Sequence, residues 1–96
     1  MKLIYGDCGS GKIKQILELS CKTKTPILCE SDQRKQRLLE KAKGYGINIP
    51  VPIVYTEGCE GRDVLVDDPK RLLEAMLHAN LVGLTVNVPT DDVTKL

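Results

Sequence analysis

A glycine-rich run lies between an apolar stretch and a helical pattern near the start of the chain. Residues 6–12 read Gly-Asp-Cys-Gly-Ser-Gly-Lys, and the apolar stretch Lys2–Tyr5 precedes them. Glycines at this spacing allow a tight turn that points several backbone N–H groups at one anion, and a helix beginning at Lys12 adds its own positive end. The setting favours an α/β chain with an anion site, against the plainer alternative of a ligand-free turn.

The rest of the chain alternates between short apolar runs and helical spacing. The first helix is expected from about Lys12 to Lys22, because Ile13, Ile16 and Leu17 recur at helical intervals. Ser31 or Asp32 can cap a second helix that ends near Gly44 and Gly46, and Asp68 can cap a third that begins at Pro69 and ends at Gly83. Strands are expected at Lys2–Tyr5, Ile27–Cys29, Ile53–Tyr55, Val64–Val66 and Leu84–Val88.

This alternation predicts a parallel sheet, because parallel strands need helical crossovers that pack on the sheet faces. The expected fold is a three-layer α/β/α domain with a short, mostly parallel, five-stranded sheet. A length of 96 residues favours one domain. We expect it to span residues 1–90, followed by a polar tail at residues 91–96.

Composition excludes several functional classes. The net charge of +1 gives no overall attraction to nucleic acid or membranes, and aromatic residues make up only 3%, which argues against base-stacking platforms. No apolar run approaches the roughly 20 residues that span a bilayer. The four cysteines lack the C-x-x-C spacing of zinc sites, and such thiols suit a reducing, cytoplasmic location.

The glycine run supplies the first candidate site. Its backbone and the Lys12 ammonium would hold phosphate groups, and Ile13 follows where the G-x-x-x-x-G-K motif continues with Ser or Thr. That missing hydroxyl is a ligand of Mg²⁺, so Ile13 weakens the expected metal site. The candidate ligand-binding residues are Gly6, Cys8, Gly9, Ser10, Gly11, Lys12 and Ile13.

Polar residues at two strand ends supply further candidates. Asp67 and Asp68 end the apolar run Val64–Val66, and Asn87 lies within the expected strand Leu84–Val88. In α/β sheets ligands bind at the carboxyl ends of strands, so Asp67 is expected near the glycine loop. The plainer alternatives are an exposed strand-end acid for Asp67, a helix cap for Asp68 and a locally satisfied amide for Asn87.

The order of these elements over residues 2–88 resembles the P-loop NTPase superfamily. Gly6–Lys12 is similar to the Walker A motif and Val64–Asp68 to the Walker B motif. The resemblance implies ATP or GTP as the ligand, and Mg²⁺ held through water by Asp67. It also implies catalytic roles for Asp68, as the water-activating acid, and for Asn87, as a phosphate sensor on a strand between the first and fourth strands.

Two functions from different classes remain open at this stage. The first is a nucleotide-binding protein of the P-loop type with weak or absent hydrolysis, and a small-molecule kinase is a lesser variant. The second is a non-enzymatic module that docks a protein or nucleic acid through the basic helix Arg34–Lys43 or through a sheet edge. A solvated helix face explains the same basic residues, and an unpaired edge strand would allow dimerisation.

Overall fold

The computed structural model describes residues 1–7, 9–88 and 91–96. Within those residues the chain alternates between strands and helices, and one 3-10 turn follows the third strand. The elements are β1 (Leu3–Tyr5), α1 (Lys12–Thr23), β2 (Ile27–Cys29), α2 (Asp32–Tyr45), β3 (Ile53–Val54), the 3-10 turn (Tyr55–Glu57), β4 (Leu65–Val66), α3 (Pro69–Leu77) and β5 (Val93–Lys95). The α/β class is therefore confirmed.

The strands form two small parallel sheets. One sheet has the order β3-β2-β4 and the other pairs β1 with β5, and every pairing is parallel. Among the described residues, no strand pairing joins β1 to β4. The sequence predicted a single sheet of five strands, so the parallel character is as expected, whereas the division into two sheets is not.

The fifth strand lies later in the chain than the sequence suggested. The prediction of a strand at Leu84–Val88 is wrong, because that segment has no regular structure and is exposed. The strand Val93–Lys95 pairs with β1 instead, inside the segment 91–96 that was expected to be a polar tail. Two backbone hydrogen bonds flank the pairing, from Leu3 N to Asp92 O at 3.0 Å and from Leu96 N to Tyr5 O at 2.8 Å.

The first two helices end close to their predicted limits. The Ser31 hydroxyl accepts a hydrogen bond from the Arg34 N–H at 3.1 Å, which caps the start of α2. Gly46 ends that helix in the left-handed conformation (φ 71°), and its N–H bonds back to the last turn. The capping pattern read from the sequence at both ends of α2 is confirmed.

The third helix is shorter and more exposed than its apolar content suggested. It begins at Pro69 as expected, with Asp68 as its cap, but it ends at Leu77 and His78 turns left-handed (φ 53°). Leu72 is its buried residue, whereas Met76 and Leu77 are exposed. The chain then continues without regular structure, so the prediction of a helix that reaches Gly83 is wrong.

The three-stranded sheet is covered on both faces. Alternate side chains point to opposite faces of a strand, so Ile27 and Cys29 join one apolar cluster while Leu28 joins another. The first cluster includes Leu17 of α1 and Leu38 of α2, and the second includes Leu72 of α3. Completely burying each leucine contributes about 1.5–3 kcal/mol, and these clusters hold the helices to the sheet.

None of the helices in the described part of the chain is both long enough and apolar enough to cross a bilayer.

Candidate anion site at the glycine loop

The loop between β1 and α1 depends on the backbone freedom of glycine. Gly9 and Gly11 have φ angles of 82° and 91°, a region that costs any residue with a Cβ atom. A hydrogen bond from Ser10 N to Asp7 O at 3.1 Å closes a turn that contains Gly9. The sequence-predicted residues Gly9, Ser10 and Gly11 therefore lie in a bent segment that leads directly into α1.

The Lys12 ammonium lies against the carbonyl groups of this loop. Its Nζ donates to Gly6 O and to Asp7 O, both at 2.7 Å. Two carbonyl oxygens hold the cation in place without neutralising its charge. An anion that enters the loop can take over these hydrogen bonds, so the lysine is placed before any ligand arrives.

The start of α1 differs from the starts of the other two helices. The side chains of Ser31 and Asp68 accept backbone N–H groups at α2 and α3, whereas Gly11 at the start of α1 offers no side-chain cap. The first turn of α1 has no acidic residue, as in α3, whereas the first turn of α2 contains Asp32. The unpartnered N–H groups and positive end of α1 are thus directed at the loop without an internal acceptor.

Gly6 is required for a different reason, which is space. A Cβ atom built on Gly6 would lie 2.7 Å from Ser10 Oγ and 2.9 Å from Leu96 O. The Ser10 hydroxyl itself is buried and has no hydrogen-bond partner among the described residues. Leu96, the residue that follows β5, therefore packs against the glycine loop at Gly6.

Cys8 and Ile13 are the other two predicted ligand-binding residues. Cys8 lies outside the described residues. Ile13 is half-buried and packs against the apolar cluster around Leu17. The side chain at the position of the missing hydroxyl thus belongs to the core between α1 and the sheet.

Asp67 follows β4, as the sequence predicted, but its carboxylate is paired. The Arg34 guanidinium of α2 donates to Asp67 Oδ2, and the two side chains are only 13% and 15% exposed. No hydrogen bond or ion pair in the described chain joins Asp67 to the glycine loop. The structure therefore brings the Asp67 side chain together with α2.

A small cleft of about 180 Å³ opens beside this ion pair. Three arginines and one glutamate contribute to its lining, and two of the arginines are paired with Asp67 and Asp68. The Glu30 Oε2 and Arg34 Nε atoms are buried without hydrogen-bond partners in the described structure. The lining residues are Glu30, Ser31, Gln33, Arg34, Arg37 and Arg71.

The two residues expected to be catalytic occupy ordinary structural positions. Asp68 caps α3, since its carboxylate accepts the Arg71 N–H at 3.4 Å and pairs with Arg71 Nε at 3.3 Å. Asn87 is exposed in the segment without regular structure after α3. The expectation that a strand positions Asn87 between the first and fourth strands is wrong, so no sheet edge presents its amide.

The donor set that the resemblance assigns to Mg²⁺ does not fit the ion. Ile13 offers no oxygen and packs in the core, and Arg34 occupies the Asp67 carboxylate. The described ranges contain no group of three or more His, Cys, Asp or Glu residues that could hold a metal ion. Mg²⁺ binds through oxygen ligands and keeps several waters, and here the carboxylate at the predicted position is already paired with Arg34 through Oδ2.

The basic helix is partly neutralised within the fold. Arg34 pairs with Asp67, and Lys35 donates to Glu57 at 3.1 Å. Arg37, Lys41 and Lys43 remain exposed on α2. The basic residues of α2, which suggested a nucleic-acid or protein surface, therefore also connect α2 to the ends of β3 and β4.

The sequence did not predict the contacts that Arg34 and Leu96 make. Arg34 was grouped with the other basic residues, although its place just after the Ser31 cap puts it at the carboxyl end of β2. In the sheet order β3-β2-β4 that end adjoins Asp67. Leu96 carried no signal at all, because its contact with Gly6 depends on the pairing of the first and last strands.

Two titratable groups outside the loop have shifted pKa values. Burial raises the pKa of the Cys29 thiol, which stays in its neutral form. The Leu81 backbone N–H, which donates to Glu74 at 2.8 Å, and then the Lys70 ammonium lower the pKa of the Glu74 carboxyl. Glu74 thereby ties the segment after α3 back to the helix.

Comparison with protein-family models, with curated proteins and with solved structures finds no match to this chain.

Proposed function

We propose that this chain binds the phosphate groups of ATP or GTP in the glycine loop, in the manner of a P-loop NTPase, with weak or absent hydrolysis. The observation that carries the proposal is the Lys12 ammonium, held over the loop by two carbonyl oxygens at the uncapped start of α1. A cation, free helix N–H groups and a glycine turn converge on one point. That combination suits an oxyanion.

Weak hydrolysis follows from the same geometry. Phosphoryl transfer depends on positioned charge, and in this reaction class Mg²⁺ bridges the outer phosphates. Ile13 in the core, the paired Asp67 and the exposed Asn87 leave the loop without the groups that would position a metal or an attacking water. Phosphate binding needs only the loop, the lysine and the helix end.

Calorimetric titration of ATP and GTP tests the proposal. We expect micromolar binding by the wild type and loss of binding in Lys12→Ala. Lys22→Ala is the matched control, because Lys22 is an exposed lysine in the last turn of the same helix. Absence of binding at millimolar nucleotide, or equal affinity of Lys12→Ala and wild type, would contradict the proposal.

One observation favours a second candidate function, a protein-interaction module. The segment after α3 exposes four apolar side chains at alternate positions, and clustered exposed apolar residues commonly mark a contact site. Analytical ultracentrifugation of the wild type and of Val86→Lys tests whether a second copy covers it, since only the wild type should then associate. The exposed residues are Val82, Leu84, Val86 and Val88.

A further inference from the structure

We infer that the segment Val82–Val88 pairs with the same segment of a second copy of this chain, as two antiparallel strands related by a twofold axis. The inference rests on the second candidate function and deepens it, because it names the partner and the geometry of the contact. It is drawn from the exposed apolar side chains of the segment, its lack of charge and its alternating pattern.

Exposed apolar side chains are concentrated in and beside this segment. Six of the ten large apolar residues that are exposed in the described chain lie within residues 76–88. Four of them belong to the segment, and the other two, Met76 and Leu77, lie at the end of α3. The Leu81 N–H donates to Glu74 at 2.8 Å, so the segment starts beside that helix.

No charged side chain interrupts this region. All 14 basic and 13 acidic residues of the protein lie outside residues 75–90, where His78 is the one titratable side chain. Burying a charge without a counter-charge is costly, so this surface favours a partner surface that is also uncharged. The identical segment of a second copy meets that requirement and brings no like charges together. A nucleic acid or a highly charged protein would find no complementary charge here.

The alternation of residue types selects the register of the pair. Successive side chains of a strand point to opposite faces, so the four apolar residues at even positions would share one face of the paired segment. With Thr85 on the twofold axis, Val82 lies opposite Val88 of the second copy, and Leu84 lies opposite Val86. A shift of one residue would set apolar side chains opposite polar ones. The pattern therefore favours the register centred on Thr85.

The end of α3 adds apolar area to the strand pair. Two paired strands alone are only marginally stable in water, and a stable interface buries roughly 800 Å² on each partner. Met76 and Leu77 are 46% and 64% exposed. Their apolar surface adds to that of the segment, so hydrophobic burial supports the hydrogen bonds between the strands.

Sedimentation equilibrium of the full chain measures the association. Wild type should dimerise, and Val86→Lys should weaken dimerisation about tenfold or more, because it places a charge opposite Leu84 of the second copy. Val51→Lys is the matched control, since Val51 is 62% exposed and lies outside the segment, and it should dimerise as wild type does. Far-UV circular dichroism checks that both variants stay folded.

Disulfide cross-linking measures the register. In Thr85→Cys the two introduced thiols meet at the axis, so mild oxidation should link the copies, and peptide mapping should assign the bond to position 85 rather than to a native cysteine. Asn87→Cys is the control, because its thiol lies opposite Gly83 of the second copy. The two introduced thiols are then four residues apart along the strands, roughly 13 Å, which is beyond the reach of a disulfide.

The outcomes separate the inference from the functions on which it depends. A wild type that stays monomeric overturns the inference and self-association together, and the nucleotide proposal is unaffected. A dimer that Val86→Lys leaves intact overturns this segment as the contact. A dimer that Val86→Lys dissociates, but that cross-links no faster at position 85 than at position 87, overturns the strand pairing and leaves the interaction module standing.

Discussion

Replacing Gly6 with alanine should weaken the pairing of β5 with β1. The φ angle of Gly6 is not in the left-handed region, so the substitution acts through space. The new methyl group would lie 2.9 Å from Leu96 O and 3.2 Å from Leu96 Cβ, where ordinary contacts begin at 3.4 Å. It would also lie 2.7 Å from Ser10 Oγ, although that hydroxyl can rotate away.

The size of the effect follows from which neighbour has to move. The Leu96 carbonyl is backbone, and the Leu96 N–H is already fixed to Tyr5 O at 2.8 Å. Relief of the clash therefore requires the end of β5 to shift away from β1. Overpacking of this kind costs about 1–3 kcal/mol, a large fraction of the stability of a small domain.

Urea denaturation and amide hydrogen exchange measure the result. We expect a lower unfolding midpoint and faster exchange of the Leu96 amide, while the amides of β2 keep their protection. Gly44→Ala is the control. A Cβ at Gly44 meets nothing within 4 Å, and because Gly44 lies inside α2 this change should stabilise by about 1 kcal/mol.

The predicted clash is refuted if Gly6→Ala has the wild-type urea midpoint and its Leu96 amide stays protected from exchange. That outcome would mean that β5 adjusts freely and that Leu96 does not support the loop. A loss of protection spread equally over both sheets would also contradict it, because the clash is confined to the pair β1–β5.

Three further predictions concern the core and the shifted pKa values. Leu17→Ala should lower the free energy of unfolding, measured in urea, by about 3–5 kcal/mol, because Leu17 is completely buried. Leu77 is exposed, so Leu77→Ala should change that free energy by less than about 0.5 kcal/mol. The pKa of the Glu74 carboxyl is lowered in the fold, so the ionised carboxylate stabilises the fold at pH values above its ordinary pKa. This stabilisation is lost as the pH falls through the lowered pKa. The difference in unfolding free energy between wild type and Glu74→Gln should therefore shrink on acidification. Burial raises the pKa of the Cys29 thiol, so at pH 8 Cys29 should react with iodoacetamide more slowly than the half-buried Cys59. In denaturant the two thiols should react equally fast.

Local patterns predicted the helices and most of the strands. The caps Ser31 and Asp68, the helix-ending Gly46 and the apolar run Ile27–Cys29 each act within a few residues, so the sequence alone defines them. The glycine turn before α1 has the same local character. These features depend on backbone conformation and helix capping, which the residue types specify directly.

The wrong prediction for the fifth strand shows where local sequence patterns stop being informative. Leu84–Val88 alternates like a strand, yet it lies exposed, while Val93–Lys95 pairs with a strand ninety residues away. Strand propensity describes a fit to a half-buried surface, and which surface is available depends on the whole fold. The partner of Asp67 was missed for the same reason, since Arg34 reaches it only through the order of the strands.

The pairing of the first and last strands also has a consequence for the order of folding. Contacts between residues so distant in sequence form late, because the intervening chain must close before they contribute. The three-stranded sheet and its helices involve shorter separations and can assemble first. Since the glycine turn begins where β1 ends and is packed by Leu96, a truncated or partly synthesised chain would contain the motif without its support. Competence to hold an anion would then appear only at the final stage of folding.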